Sequence, residues 1–345
     1  MRVLSVLGRS LEGCAIGILL SACGASSAPS TQQPKLQGAL WQGSGLNPNP
    51  TPLLEGRSMG HASYSRRAWM VPNIGDRLLY VSDAQNEVID VFALPSMKLH
   101  GQITDGINGP LGLATDGQGN VYVANGGGGT ITVYKYGETS PTRTLTEEGS
   151  PDDVAVAANG AVFGGDVLGA VEVFAPGSNT PAALLTNPAI VQAYGVCVDE
   201  ANNVYATGSG PKGAPINPVV IEYIGQSEPG QNLHLRKKYL ALPVWCALDR
   251  NNNLVVADYW PHPKPGIRIY PPGKKRPMKS FGKVDTPERS ALDLTAGKLY
   301  VPEGSYNVLN VYSYPAGKLI KSMPGVGSGG WLAGAAVAVR PTPRR

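Results

Sequence analysis

The sequence predicts an all-β fold, a six-bladed β-propeller of four-stranded blades with the ring closed by the C-terminal strand. Two recurrences and one absence carry that prediction. A short apolar strand appears six times, anchored at Tyr80, Tyr122, Phe163, Tyr205, Val255 and Tyr300, at intervals of forty-one to fifty residues. Each anchor is followed by a second strand that closes on an aromatic, at Phe92, Tyr134, Phe174, Tyr223, Tyr270 and Tyr312. No stretch from Arg77 onward sustains a 3.6-residue apolar period, so helix should be sparse. A unit of about forty residues built only of strands and turns cannot bury both its faces alone, and radial stacking of such units does bury them.

A further strand precedes most anchors and explains how the ring can close. In five repeats it carries a small residue in one column, at Ala114, Ala155, Cys197, Ala247 and Ala291, as expected where the innermost strands crowd round an axis. Asp116, Asp199, Asp249 and Asp293 end four of these strands, where a carboxylate can bond backbone N–H groups two residues on and open a turn. The first repeat has no such strand directly upstream. Gly334 to Val339 fits the slot with Ala336 in the small column, and closure by this strand would remove exposed sheet edges. Trp69-Met70-Val71 competes for the slot, but it would put Pro72 in the small column and remove a ladder donor. The interval after Tyr205 is the longest, and the Gly- and Pro-rich segment from Ser209 to Pro218 reads as an insertion.

Composition agrees with one domain of this kind. Six units fill about 260 of the 345 residues, and 44 Gly with 30 Pro suit a fold of many tight turns. A net charge of +4 does not indicate nucleic-acid binding. The two basic clusters, Arg236-Lys237-Lys238 and Lys274-Lys275-Arg276, read as protection of outer strand edges rather than as a patch for an anionic partner.

The N-terminus has a different character. Arg2 and Arg9 precede a short apolar run from Cys14 to Leu20, the pattern of a secretory signal and too short to span a bilayer. Leu20-Ser21-Ala22-Cys23-Gly24 then resembles the lipobox of bacterial lipoproteins. The resemblance implies cleavage before Cys23 and acylation of that residue, palmitate included, and Gly24 does not resemble an inner-membrane retention signal. It implies a cell-envelope lipoprotein, anchored at the outer membrane of a Gram-negative cell with the propeller outside the cytoplasm. Acyl chains can anchor a protein without a transmembrane helix. Four segments follow: residues 1–22 as signal peptide, 23–67 as lipidated Cys plus flexible tether, 68–340 as propeller and 341–345 as tail. The tether is rich in Ser, Pro, Gln, Gly and Asn, and about fifty such residues have an r.m.s. reach of about 40 Å.

Two cysteines remain in the propeller, Cys197 and Cys246, on inner strands of adjacent repeats. They could pair in an oxidising compartment. A one-place offset in the strand pattern directs their side chains to opposite faces, which argues for two buried thiols instead.

Pro110-Leu111-Gly112-Leu113-Ala114-Thr115-Asp116-Gly117-Gln118-Gly119-Asn120-Val121-Tyr122-Val123-Ala124-Asn125 resembles an NHL repeat, and Leu254 to Asp258 and Leu79 to Asp83 are similar fragments. The Arg that often opens the second of the two strands in that repeat is absent, as Val88 and Thr130 show. The resemblance runs from about Arg77 to Val339 and implies a six-bladed propeller. Such propellers include binding modules, sugar lactonases and lyases, so the fold leaves the activity open.

Two residue sets speak to function. Asp83, Asn125, Asp166, Asp258 and Glu303 follow anchor strands, while Asp152, Asp153 and Glu288 lie at the starts of inner strands. Related lactonases hold a metal with carboxylate and amide ligands, so Asp83, Asn125, Asp153, Asp166, Asp258 and Glu303 are the candidate Ca²⁺ ligands of an enzyme reading. An Asp or Asn after a strand also caps its own turn, and the once-per-blade regularity favours that role. A histidine-ligated lyase metal is disfavoured, because His61, His100, His234 and His262 all fall off the inner strands. The second set breaks the repeat. Tyr194, Trp245, Arg289 and Trp331 open inner strands, and Tyr259-Trp260 follows the fifth anchor strand. Large aromatics beside a few polar groups suit a protein, peptide or glycan partner. The expectation is a monomeric extracytoplasmic binding or scaffold module without cofactor, with a Ca²⁺-dependent lactonase or lyase as the alternative.

Overall fold

A computed structural model describes residues 67–211, 217–259, 264–282 and 284–342. The lipobox, Cys23, His61, Trp260 and His262 lie outside the described residues. Six antiparallel sheets form the blades of a β-propeller, five of four strands and one of five. The inner strands are Leu332–Val339 for blade 1, then Pro110–Thr115, Pro151–Val156, Gln192–Val198, Pro243–Leu248 and Ala291–Asp293 for blades 2 to 6. Anchor strands follow at Arg77–Asp83, Val121–Asn125, Val162–Asp166, Val204–Ser209, Leu254–Asp258 and Lys298–Glu303. The third strand of each blade carries the closing aromatic, and the fourth lies outermost. Helix among the described residues amounts to three short 3-10 turns, at Ile224–Gln226, Lys237–Tyr239 and Gly304–Tyr306.

Strand register shows why the repeat was visible in the sequence. Each small-column residue faces its anchor directly across the ladder: Ala336 opposite Tyr80, Ala114 opposite Tyr122, Ala155 opposite Phe163, Cys197 opposite Tyr205, Ala247 opposite Val255 and Ala291 opposite Tyr300. Each closing aromatic faces the residue before the anchor, as Phe92 faces Leu79 and Tyr134 faces Val121. Small side chains therefore line the crowded axis and the larger anchors stand one strand further out. The core is the set of layers between blades, such as Leu79, Val81 and Phe92 packed with Tyr300, Leu309 and Val311 between blades 1 and 6. Each fully buried Val or Leu contributes about 1.5–3 kcal/mol of transfer free energy.

Ring closure follows the C-terminal alternative. Leu332–Val339 pairs with Arg77–Asp83 as the innermost strand of blade 1, and Trp69–Met70 instead adds a fifth, outermost strand against Lys98–Ile103. Trp69 Nε1 donates to Gln102 Oε1 at 3.0 Å there. The turn aspartates act as the sequence suggests: Asp116, Asp199 and Asp249 each accept backbone N–H groups two and four residues on. An Asn at the fourth position, Asn120, Asn203 or Asn253, returns its amide to the same carboxylate at 2.7–2.9 Å.

The cysteine expectation is corrected. Cys197 and Cys246 form a disulfide between the inner strands of blades 4 and 5, with Cα atoms 5.6 Å apart. The one-place offset is real, since Cys197 faces the anchor Tyr205 whereas Cys246 precedes Ala247, which faces Val255. Adjacent blades stack front to back, so residues on opposite faces of neighbouring strands point at each other.

The two basic clusters also meet. Arg236 N donates to Lys275 O at 3.0 Å, and Lys238 Nζ and the Arg276 guanidinium lie 4.9 and 5.8 Å from the centre of the Tyr239 ring.

Candidate functional site at the channel mouth

Within each blade the inner strand begins where the anchor strand ends, so these termini define one mouth of the ring. Two places before each small residue, blades 1 to 6 carry Gly334, Gly112, Asp153, Gly195, Trp245 and Arg289. Glycine is what crowding there demands. A Cβ on Gly112 would overlap the Asp153 side chain and backbone, and one on Gly195 would overlap the Trp245 backbone. Blades 3, 5 and 6 depart from glycine, and two of those departures are ionisable.

Blades 3 and 6 lie diametrically opposite in a six-membered ring, and their charged residues meet across it. Arg289 Nη2 donates to Asp152 Oδ2 from the far blade, while Nη1 donates to Glu288 Oε2 at 2.8 Å. Arg289 Nε donates to Tyr194 O at 3.4 Å, and Asp153 Oδ2 accepts Val196 N at 3.1 Å. Four blades are thereby tied together, because the Arg289 backbone also exchanges hydrogen bonds with Ala333 and Ala335 of the C-terminal strand. All four charged groups are buried. One guanidinium serves three carboxylates, which leaves a surplus of negative charge away from water. Burial therefore pushes Asp153 up to about 8 and Glu288 up to about 8, with Arg289 opposing the shift in each case. Asp152 moves the same way, and its contact with Arg289 restrains it.

Aromatic groups cover this brace. The Trp331 indole hydrogen-bonds Glu288 and lies against Gly304, where a Cβ would collide with its ring. Tyr259 is half-buried, hydrogen-bonds Ser305, and has its hydroxyl pushed up to about 12 by burial and the nearby Glu288 carboxylate. The expected set thus divides. Tyr194, Trp245 and Arg289 are buried beneath the mouth, whereas Trp331 and Tyr259 reach its surface. Loops at the same end also present Tyr306, Leu168 and Val191, exposed at 59%, 67% and 40%. Sequence reasoning missed these three because turn residues carry no period.

The candidate metal ligands do not converge. Asp83 accepts Asn86 N and Gly330 N, Asn125 accepts Asn108 N, and Asp258 accepts Ala241 N and Leu242 N, all at 2.8–3.1 Å. Asp166 accepts Leu168 N and Ala170 N, and Glu303 accepts Asp285 N and Asn310 Nδ2. Five of the six thus fix strand ends and nearby loops, and only Asp153 joins the channel cluster. This donor set does not fit a shared metal at the mouth. Among the described residues no three acidic, imidazole or thiolate groups stand at the spacing that holds a metal ion, and no helix is long and apolar enough to cross a membrane.

No protein-family model matches the sequence, and no curated protein matches it. Among solved structures the chain is similar to one from the crystal structure of a nidogen/laminin complex, with 17% identity and a TM-score of 0.60 over 77% of this chain and all of that one. That likeness shows the fold alone, a β-propeller.

Proposed function

We propose that the chain is a binding module that engages a protein, peptide or glycan partner with the braced mouth of its propeller. One observation carries this reading. Arg289 and its carboxylates are buried in the interior of the mouth, while aromatic and aliphatic groups remain half-buried or exposed around it. Tyr259, Trp331, Tyr306, Leu168 and Val191 supply the amphipathic and apolar area that interfaces concentrate at their centres. The structural neighbour is itself part of a protein complex, which accords with this use of the fold. The NHL-like repeat and the lipobox complete the proposal: a lipoprotein acylated at Cys23 and held at the outer membrane, presenting the propeller outside the cytoplasm.

Arrays of glycans and peptides probed with the full-length chain test the binding role. Ligands recognised by the wild type should be lost or weakened at least tenfold by the Tyr306→Ala/Trp331→Ala variant, and equal binding by both would reject the mouth. Lipidation has its own test. Cys23→Ser should move the protein from the membrane to the soluble fraction, and unchanged fractionation would reject the anchor.

A further inference from the structure

The six blades serve as controls for one another at a second position. One residue past each anchor, the facing third-strand residues are Asp90, Thr132, Glu172, Ile221, Arg268 and Asn310. In blades 2, 5 and 6 this residue complements the group that ends the anchor strand: Thr132 with Asn125, Arg268 with Asp258, Asn310 with Glu303. Blade 1 sets Asp90 near Asp83, but Gln102 and Ser328 donate to Asp90 at 2.8–3.3 Å, and Asn86 and Gly330 donate to Asp83. Blade 3 breaks the rule. It sets Glu172 near Asp166 and brings in a third carboxylate, Glu147, from the end of blade 2.

The donors there do not suffice. Glu172 Oε1 accepts Glu148 N and Gly149 N at 2.8 and 3.1 Å, but Glu172 Oε2 and both oxygens of Glu147 are buried without a hydrogen-bond partner. Asp166 Oδ2 lies against Gly149, so all three carboxylates gather round residues 147–149. The strand has made room for this. Where blades 1, 2, 5 and 6 carry Val81, Val123, Val256 and Val301, blade 3 has Gly164, and a Cβ there would collide with Glu147 Oε1. Burial and its two acidic neighbours hold Glu147 well above the usual carboxylate range. Buried polar atoms in native proteins are nearly always satisfied, by an ion or water where the chain does not supply a partner.

We propose that Glu147, Asp166 and Glu172 form a site for one hard divalent cation of the Ca²⁺ class at the junction of blades 2 and 3. An all-oxygen donor set selects Ca²⁺ over softer metals, and a cation would serve the three orphaned oxygens together. The carboxylates do not stand at ready ligand spacing, so binding requires Glu147 to close on Glu172 Oε2. The site lies at the blade 2–3 edge of the mouth, where Asp166 also holds Leu168 N, and it does not include the Arg289 brace.

The test is calorimetric titration of the chelator-treated full-length chain with CaCl₂, paired with thermal unfolding. One ion should bind per chain and raise Tm by about 5 °C at saturating Ca²⁺. Glu147→Gln and Glu172→Gln should each weaken binding at least tenfold, while Asp83→Asn should leave it unchanged. If Glu147→Gln does not fold, Glu172→Gln carries the comparison. No response of the wild type to Ca²⁺ overturns the proposal and leaves Glu147 holding a proton. A Ca²⁺ response unaffected by the Glu variants, or abolished by Asp83→Asn, places the ion elsewhere and overturns it equally.

Discussion

Replacing Arg289 by Met removes the cation from the centre of the channel brace and leaves Asp152, Asp153 and Glu288 buried without it. Breaking a buried pair by removing one partner costs about 3–5 kcal/mol, since the remaining charges must be protonated or dragged into water. For a domain of this size each kcal/mol lowers Tm by about 2–4 °C, so the loss should be roughly 6–20 °C. The penalty has a distinctive pH dependence. Asp153 and Glu288, both at about 8, are protonated in the native protein at pH 5 and need little from the guanidinium there. The difference between wild type and Arg289→Met should therefore be smaller at pH 5 than at pH 8.5. Thermal melts across that range read it directly. Arg340, which is exposed with its ion-pair partner Asp76 and also donates to Ile74 O and lies over the Tyr136 ring, is the control, and Arg340→Met should lower Tm by much less than Arg289→Met. A loss below about 1 kcal/mol, or one no larger at pH 8.5 than at pH 5, would refute the view that Arg289 neutralises buried carboxylates.

Further outcomes follow from the same geometry. A carboxylate whose native pKa is raised binds its proton more tightly when folded, so the contribution from Asp153 is fully present below about 4 and declines as pH rises through about 8. Asp153→Asn should thus gain stability relative to wild type as pH increases from 5 to 9 in thermal melts; a relative loss contradicts the shift. The Cys197–Cys246 bridge closes a separation of 49 residues, and Cys197→Ser/Cys246→Ser should cost about 2–4 kcal/mol. Denaturant midpoints measured with and without reductant test it, and a midpoint unmoved by either change argues against the bond. Gly112→Ala would force a Cβ into Asp153 and should cost about 1–3 kcal/mol by chemical denaturation. Wild-type stability there would show that the inner strands are less crowded than described.

The fold was legible because a propeller writes its register into the sequence. Six aromatic or branched anchors opposite six small residues repeat a single packing constraint, and the C-terminal strand declared itself through Ala336. The disulfide is hidden from the pattern of a single strand, because neighbouring blades present opposite faces to each other. The channel brace was half legible. Arg289 stands out from the repeat as a partner residue, whereas Asp153 reads as one of the regular acidic positions and a candidate metal ligand. Their three-blade separation in a six-blade ring already makes them diametric neighbours. Gly164 carries a further signal, a strand glycine where four blades have valine and blade 4 has Ala206, but its meaning depends on Glu147 arriving from the preceding blade. Tyr306, Leu168 and Val191 could not be found by pattern, since their exposure is set by loop geometry.

The claim that the braced mouth is the interaction surface is tested most directly by site-specific photo-crosslinking in the cells that make the protein. A photoreactive residue at Tyr306 or Trp331 should give a discrete adduct, whereas the same group at Leu184 or Ile320 on the outer strands should not. Adducts formed from the outer strands and absent from the mouth would contradict the account.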